Sequence, residues 1–326
     1  MNRDIAQIAI VGCGAVVQDM YAPALKALGG VRVVAVCDLD RERAELVGQD
    51  LGAGVKTFEE AVALAGLVVI AVPPAAHFEL ASRALTAGCS VLCEKPFVAR
   101  TSEAKELVSL AAEHDSDLFV GHFRRLNASL RTARQLLASG LLGKPQAVLA
   151  MEGGRFSWQA KSAYTLNDPL GGVLYDTGSH LLDMVMFVIG FDERDFEVSV
   201  QKLQTDPKTE PSHSLRAEIQ LDDGEQAIAL TVGLSRYELL ANIIRVRCER
   251  GTLEFPAGGG SRLRVRGPAG DLTLESHDGE QTFNSAFVAQ LRRITAGEAC
   301  EDLTGNRFVS VTQVLESVLE YGSERA

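Results

Sequence analysis

The sequence predicts an α/β protein of two domains. Residues 1–122 read as a doubly wound parallel sheet, and residues 123–326 as an α/β domain built on a mainly antiparallel sheet. Three observations lead there. The first 122 residues interleave short, unalternating apolar runs with amphipathic segments, the pattern of parallel strands buried on both faces and linked by helices. Beyond residue 145 most segments alternate polar and apolar residues and are separated by turns such as Asp222-Asp223-Gly224, which suits antiparallel pairing. Finally, 326 residues are long for one hydrophobic core, so two domains are expected.

In the first half the strands are expected at 5–11, 31–37, 67–72, 91–93 and 118–120, with helices over 16–28, 40–50, 75–87 and 101–114. A helix near 126–138 follows, with the hinge between the domains over 121–125. Strands are then expected at 146–152, 194–203, 214–221, 226–234, 241–249, 252–255 and 263–266, and helices at 283–296 and 306–322. The run from Ala61 to Phe78 carries no Asp, Glu, Lys or Arg, but Gly66 and Pro73-Pro74 interrupt it. It therefore reads as a helix end, a buried strand and a loop rather than a membrane span.

Bulk properties exclude several function classes. A net charge of −11 argues against a nucleic-acid partner, which needs a basic face to neutralise phosphates. The six cysteines show neither Cys-x-x-Cys nor metal-type spacing, and they read as free thiols of a reducing cytoplasm. Asp4 stands where the apolar core of a signal peptide would begin, which argues against secretion. No metal site is expected.

The first strand runs into VGCGAVVQDM. Gly12 and Gly14 fill the first two positions of a G-x-G-x-x-G phosphate loop and Val17 the third, with Ala15 and Val16 between. The first glycine permits the tight turn, and the second lets backbone approach a pyrophosphate at a helix N-terminus. Asp38 follows Gly12 by 26 residues, at the end of the second strand. A carboxylate there accepts hydrogen bonds from ribose hydroxyls and repels a 2′-phosphate, which favours NAD. The competing reading of Asp38 is a helix N-cap for 40–50, and Arg41 and Arg43 keep NADP open. Two further strand ends carry Pro73-Pro74 with His77, and Glu94-Lys95-Pro96.

Another stretch, GGVLYDTGSHLLDM over 171–184, places Asp176, His180 and Asp183 in an otherwise apolar helical run. On an α-helix of about 100° per residue they fall near 0°, 40° and −20°, a single polar stripe. Burying such groups unpaired costs a few kcal/mol each, so something must face them. Before it, the irregular segment EGGRFSWQAKSAYTLNDPL offers Arg155, Trp158, Lys161 and Tyr164 as candidate substrate contacts, since long loops often carry binding residues.

Taken together, Gly12-x-Gly14, the Pro-Pro and His of 73–77, Glu94-Lys95-Pro96 and the Gly-Gly-x-x-x-Asp-x-Gly-x-His ending at His180 resemble the Gfo/Idh/MocA family of NAD(P)-dependent sugar and cyclitol oxidoreductases. The resemblance implies an N-terminal Rossmann domain and a C-terminal α/β domain with a large open sheet. That sheet implies a homo-oligomer, dimer or tetramer. A cis Lys95–Pro96 peptide is also implied. The sequence departs from the family at Val17 and at His122-Phe123-Arg124-Arg125, where relatives usually show a polar residue before an Arg-aromatic pair. His122 and Arg124 are the candidate substrate contacts at this junction.

The family pattern further implies that Lys95, Asp176 and His180 meet a substrate hydroxyl beside the nicotinamide. Gly12, Gly14, Ala15, Val16, Val17, Asp38, Pro73, Pro74, His77, Glu94 and Lys95 would then line the cofactor. Oxidising a secondary alcohol requires its hydroxyl proton to leave with the hydride. A histidine, with an ordinary pKa near 6.5, suits the general base. A lysine stabilises the developing alkoxide and relays the proton, and an aspartate orients a neighbouring hydroxyl. Asp183 either shares that task or tethers the helix. The expected function is hydride transfer between NAD(P) and a secondary hydroxyl or keto group of a sugar, sugar nucleotide or cyclitol. Two alternatives stay open: an NAD-dependent glycosidase acting by transient oxidation and elimination, and a non-catalytic dinucleotide-binding sensor, against which the intact Lys, Asp and His count.

Overall fold

The computed structural model describes residues 6–154, 171–205, 213–268, 270–277, 279–298 and 300–325. They fall into two compact units. The first runs to His122 and takes in Phe287–Val309; the second starts at Phe123 and includes the chain from Ser310 onward.

In the first unit, β1 (Gln7–Val11), β2 (Arg32–Cys37), β3 (Gly54–Val55), β4 (Leu67–Ile70), β5 (Ser90–Cys93) and β6 (Leu118–Val120) form a six-stranded sheet of order β3-β2-β1-β4-β5-β6. Every pairing in it is parallel. The strands β4, β5 and β6 are buried at every position, which is why their sequences show no alternation. Helices α1 (Ala22–Ala27), α2 (Arg41–Leu51), α3 (Phe58–Leu64), α4 (His77–Thr86) and α5 (Thr101–Glu113) link them. The edge strand β3 is two exposed residues long, too short to leave a hydrophobic signature. A π turn, Val17–Tyr21, leads into α1 and carries the buried Val17 at the position where the phosphate-loop pattern asks for a small residue.

The sequence division at 122/123 assigns all later residues to the second domain, whereas Phe287–Val309 belongs to the first unit. Its contacts there are side-chain matters that no local pattern reports. The Phe287 ring meets Tyr21 edge-on at 4.9 Å, and Phe308 is fully buried in the core under β6. Gly305 lies against Leu118 so closely that a Cβ would come within 2.6 Å of it.

In the second unit, β7 (Pro145–Gly153), β8 (Glu197–Thr205), β9 (Ser214–Asp222), β10 (Ala227–Ser235), β11 (Ile243–Cys248), β12 (Gly251–Pro256), β13 (Arg262–Gly267) and β14 (Gly270–Glu275) form an eight-stranded sheet. Its order is β14-β13-β12-β11-β7-β10-β9-β8. The pairings are antiparallel except between β7 and β10. Strand β9 reads buried and exposed in turn, as expected of a sheet with one face on a core. That core gathers residues of α6 (Ala128–Ala138), α7 (Ser179–Ile189) and the C-terminal α9 (Val309–Ser323). The helix α8 (Phe283–Thr295) precedes α9 in the chain. Among the described residues no helix is long and apolar enough to cross a membrane.

Every residue of α7 is buried, including Asp183. Its carboxylate accepts hydrogen bonds from Arg125 Nε at 2.9 Å and Nη2 at 2.6 Å, and Arg125 Nη1 donates to Asp192 at 2.8 Å. Arg125, Asp183 and Asp192 have fully buried side chains. Of the two readings of Asp183, the geometry supports the tether. Arg125→Met would strand two buried carboxylates, and removing one partner of such a pair costs about 3–5 kcal/mol. Urea denaturation of that variant should show a loss of this size with an unchanged slope.

Candidate functional site

The candidate residues of the first unit follow the carboxyl ends of four neighbouring strands: Asp38 after β2, Gly12–Gly14 after β1, Pro73-Pro74 after β4 and Glu94-Lys95 after β5. The strand order reverses between β1 and β4, and it is outside the carboxyl ends at such a switch point that doubly wound sheets bind ligands. The loop after β1 is built around Gly12. Its φ is +93°, and a Cβ there would lie 2.3 Å from the Ala71 carbonyl oxygen. Gly14 is different: a Cβ there would meet nothing within 4 Å, so no protein packing demands a glycine. The space it leaves is what a pyrophosphate needs, and the residues fit a dinucleotide.

Asp38 fixes this loop. One oxygen accepts from the Cys13 amide at 2.6 Å, the other from the Asp40 amide at 2.8 Å. The N-cap of α2 is Asp40, whose side chain accepts from Arg43 N, so the competing N-cap reading of Asp38 is set aside. Arg43 donates to Asp40 at 3.0 Å and stands 4.0 Å from Asp38, its charge balanced by two acids. Burial, with Asp38 nearby, pushes the Cys13 thiol up to about 12, which keeps it neutral and a poor nucleophile.

His77 and Glu94 are more deeply committed to the protein than the sequence implies. His77 is fully buried, with Nε2 2.9 Å from the Val72 carbonyl and Nδ1 2.9 and 3.0 Å from those of Pro96 and Phe97. Read from sequence as a cofactor contact, it ties the loop after β4 to the loop after β5, across the cis Lys95–Pro96 peptide. Glu94 accepts from Tyr21 Oη at 2.7 Å and from the Lys95 amide at 3.1 Å. Its carboxylate crowds Gly121, where a Cβ would sit 3.0 Å from Oε1. Lys95 itself is half-buried.

In the second unit the helical run begins at Gly172, whose φ of +83° opens a turn that a side chain would strain. It contains a π turn, Leu174–Gly178, before α7. An i→i+5 turn uses an extra residue, so the even angular spacing read from an unbroken α-helix does not hold across Asp176 and His180. Gly178 presses on β10, where a Cβ would come within 2.8 Å of Leu234 Cδ1. Arg236 Nη2 donates to Asp176 Oδ2 at 3.2 Å. His180 is buried, and its ring meets Phe123 edge-on at 5.5 Å.

The two junction candidates part company. His122 is buried in the first unit, stacked on Phe308 at 4.9 Å with planes 15° apart. Arg124, in the second, donates to both carboxylate oxygens of Glu152 at 3.0 and 2.8 Å and to the Ala257 carbonyl at 3.3 Å. Both positions are structurally engaged where the sequence offers them as substrate contacts. Arg155, Trp158, Lys161 and Tyr164 lie outside the described residues. Sequence reasoning missed Tyr21 and Arg236. The second leaves a legible trace: the inward row Ile228, Leu230, Val232, Leu234 continues at the same spacing onto an arginine.

Residues 6–122 match the Gfo/Idh/MocA family described as an oxidoreductase family with an NAD-binding Rossmann fold, and residues 130–254 match the C-terminal domain of the same family. The chain is similar to D-glucoside 3-dehydrogenase of Escherichia coli, 30% identical over 197 residues that cover 59% of this chain and 56% of that protein. It is 26% identical to the rhizopine catabolism protein MocA of Rhizobium meliloti, covering 96% and 94% of the two. The match thus spans about half of the first protein and nearly all of the second. An oxidoreductase from Agrobacterium radiobacter, solved with NAD+, L-tartaric acid and magnesium, superimposes with a TM-score of 0.80 at 21% identity, covering 100% of this chain and 98% of that one. At that identity the likeness concerns the fold.

Burial raises the Glu94 pKa above its ordinary 4.5, outweighing the Tyr21 hydrogen bond and the Lys95 charge that lower it. Between the unfolded value and the higher folded one, the folded protein keeps a proton that the unfolded chain has released. Glu94 therefore lowers stability as pH rises from about 4.5. Denaturation of wild type and Glu94→Gln over that range should show the wild type losing stability with rising pH and the variant losing less.

Proposed function

The chain belongs to the Gfo/Idh/MocA family of oxidoreductases, and from that premise we propose that it transfers hydride between NAD(P) and a secondary hydroxyl or keto group of a sugar, sugar nucleotide or cyclitol. The observation that carries this is the row of loops at the carboxyl ends of β2, β1, β4 and β5, with Gly14 left open and Lys95 at the end of the row. D-glucoside 3-dehydrogenase and two inositol 2-dehydrogenases among the relatives support the substrate class.

When bound, the dinucleotide supplies the hydride acceptor or donor. The chain's own residues do the rest. Gly12 and Gly14 keep backbone close to the pyrophosphate. Asp38 keeps lone pairs on both oxygens beyond its two amide bonds, enough to accept ribose hydroxyls. A carboxylate at that position disfavours a 2′-phosphate, so NAD is the preferred cofactor. Asp38 and Asp40 both face Arg43 and offset the charge that would have welcomed NADP.

His180 takes the hydroxyl proton as hydride leaves carbon. The imidazole packs against Phe123, with the two rings edge-to-face and their centroids 5.5 Å apart. The Lys95 ammonium stabilises the alkoxide as its charge develops and relays the proton. Asp176 accepts a hydrogen bond from a neighbouring hydroxyl and so fixes which carbon reacts. These roles require a polyol substrate, because each of the three groups addresses a hydroxyl or the oxygen derived from one.

A screen of sugars, cyclitols and nucleotide sugars, followed by NADH absorbance with NAD and NADP in parallel, should find turnover with at least one polyol and a preference for NAD. With that substrate, His180→Ala should lower kcat by roughly a hundred- to ten-thousandfold, the usual worth of a general base, while NADH binding measured by fluorescence persists. Lys95→Ala should lose a comparable factor in kcat. Near-normal kcat in either variant removes that residue from the mechanism.

A further inference from the structure

Arg236 is an arginine in an aliphatic slot. Strand β10 points Ile228, Leu230, Val232 and Leu234 into the core, and two residues on, in the same row, stands a guanidinium whose side chain is 3% exposed. A buried arginine is costly unless it is paired. It pairs with Asp176, at 3.2 Å. The pair is asymmetric: the Asp176 side chain retains 20% exposure, while Arg236 stands behind it. The carboxylate is the member that can meet a ligand.

The end of β10 is held in place through its backbone. The Arg236 amide donates to the His213 carbonyl at 2.9 Å, one step beyond the β9–β10 ladder. Ser235 Oγ accepts from the Tyr237 and Glu238 amides at 3.2 and 2.9 Å and lies 3.1 Å from Ser214 Oγ. On the other side, Gly178 rests directly on Leu234, the residue two before Arg236. This close approach at Gly178, where a Cβ would lie 2.8 Å from Leu234 Cδ1, brings the π turn, and Asp176 with it, down to the strand end.

We propose that Arg236 is the positioning residue of the substrate site: it fixes the plane of the Asp176 carboxylate so that this group takes a hydroxyl of a neutral polyol in one orientation. This rests on the reading of Asp176 as a substrate contact. Arg236 acts through Asp176 and not on the ligand, which distinguishes it from an arginine that recognises a carboxylate or phosphate. Lysine would keep the charge but not the planar fork that sets orientation.

The test uses the whole protein with NADH bound and calorimetry of myo-inositol and D-glucose, which also reads variants that no longer turn over. Wild type should bind at least one of them. Arg236→Gln should weaken that binding by about ten- to a hundredfold, the size expected when a hydrogen bond to a charged group is lost, with NADH affinity unchanged. Arg236→Lys should fall between. On an Asp176→Asn background, Arg236→Gln should cost no more than about twofold further, because the two residues act as one unit. Wild-type polyol affinity in Arg236→Gln overturns the inference. So does an equal fractional loss with and without Asp176, which is what a purely structural role would produce. If Arg236→Gln does not fold, by its melting curve, Arg236→Lys with and without Asp176→Asn decides by the same criteria. A wild type that binds and oxidises no polyol overturns the proposed function itself, and is told apart because the failure is then in the unaltered protein.

Discussion

The ion network around Arg125 is the constraint on which the second unit depends. A fully buried guanidinium is tolerable only because Asp183 and Asp192 meet it within 2.9 Å, and Phe187 lies beneath it with its ring centre 5.0 Å from the guanidinium carbon. Arg134 completes the set, donating to Asp192 at 3.0 Å and pairing with Glu193. Such a network contributes little net stability compared with an apolar core of the same shape. What it supplies is uniqueness. Helix α7 is buried all round, so hydrophobic burial alone would let it rotate or slide at small cost. With Asp183 held to Arg125, one rotation and one depth satisfy the charges, and that rotation sets where His180 points.

The first unit solves the same problem with glycines and carbonyls. Gly12 marks a place where backbone approaches too closely for any side chain, and at Gly121 the Glu94 carboxylate comes close. His77 then ties the neighbouring loops after β4 and β5 together through three carbonyls, and Glu94 joins the end of β5 to the turn after β1 through Tyr21. Both residues sit in motifs that sequence reading associates with the cofactor. Their observed contacts are with the protein, and they make the strand-end row rigid. The proposed hydride transfer would need such a frame, because small displacements of reacting groups cost large factors in rate.

Much of this was legible in the chain. Unbroken apolar runs gave β1, β2, β4, β5 and β6 to within two residues, and alternation gave seven of the eight strands of the second sheet. What escaped had weak local signals: β3 has two exposed residues, and β14 carries Leu272 outward at 56% exposure. The helical wheel over 171–184 showed that a polar stripe existed. It could not show that a π turn interrupts the stripe, or that Asp183 faces an arginine 58 residues earlier while Asp176 faces another 60 residues later.

By itself the sequence determined the fold class, the glycine turn after the first strand and the polar residues at the strand ends, because hydrophobic period, glycine placement and strand-end acids are local properties. Only the tertiary structure decided the division of labour: which polar groups anchor and which stay available, that Phe287–Val309 packs with the first unit, and that Arg236 stands behind Asp176. Those outcomes depend on the pairing of charges brought together from distant parts of the chain. A charge out of water finds its partner by proximity in space, and no periodicity along the chain records that distance.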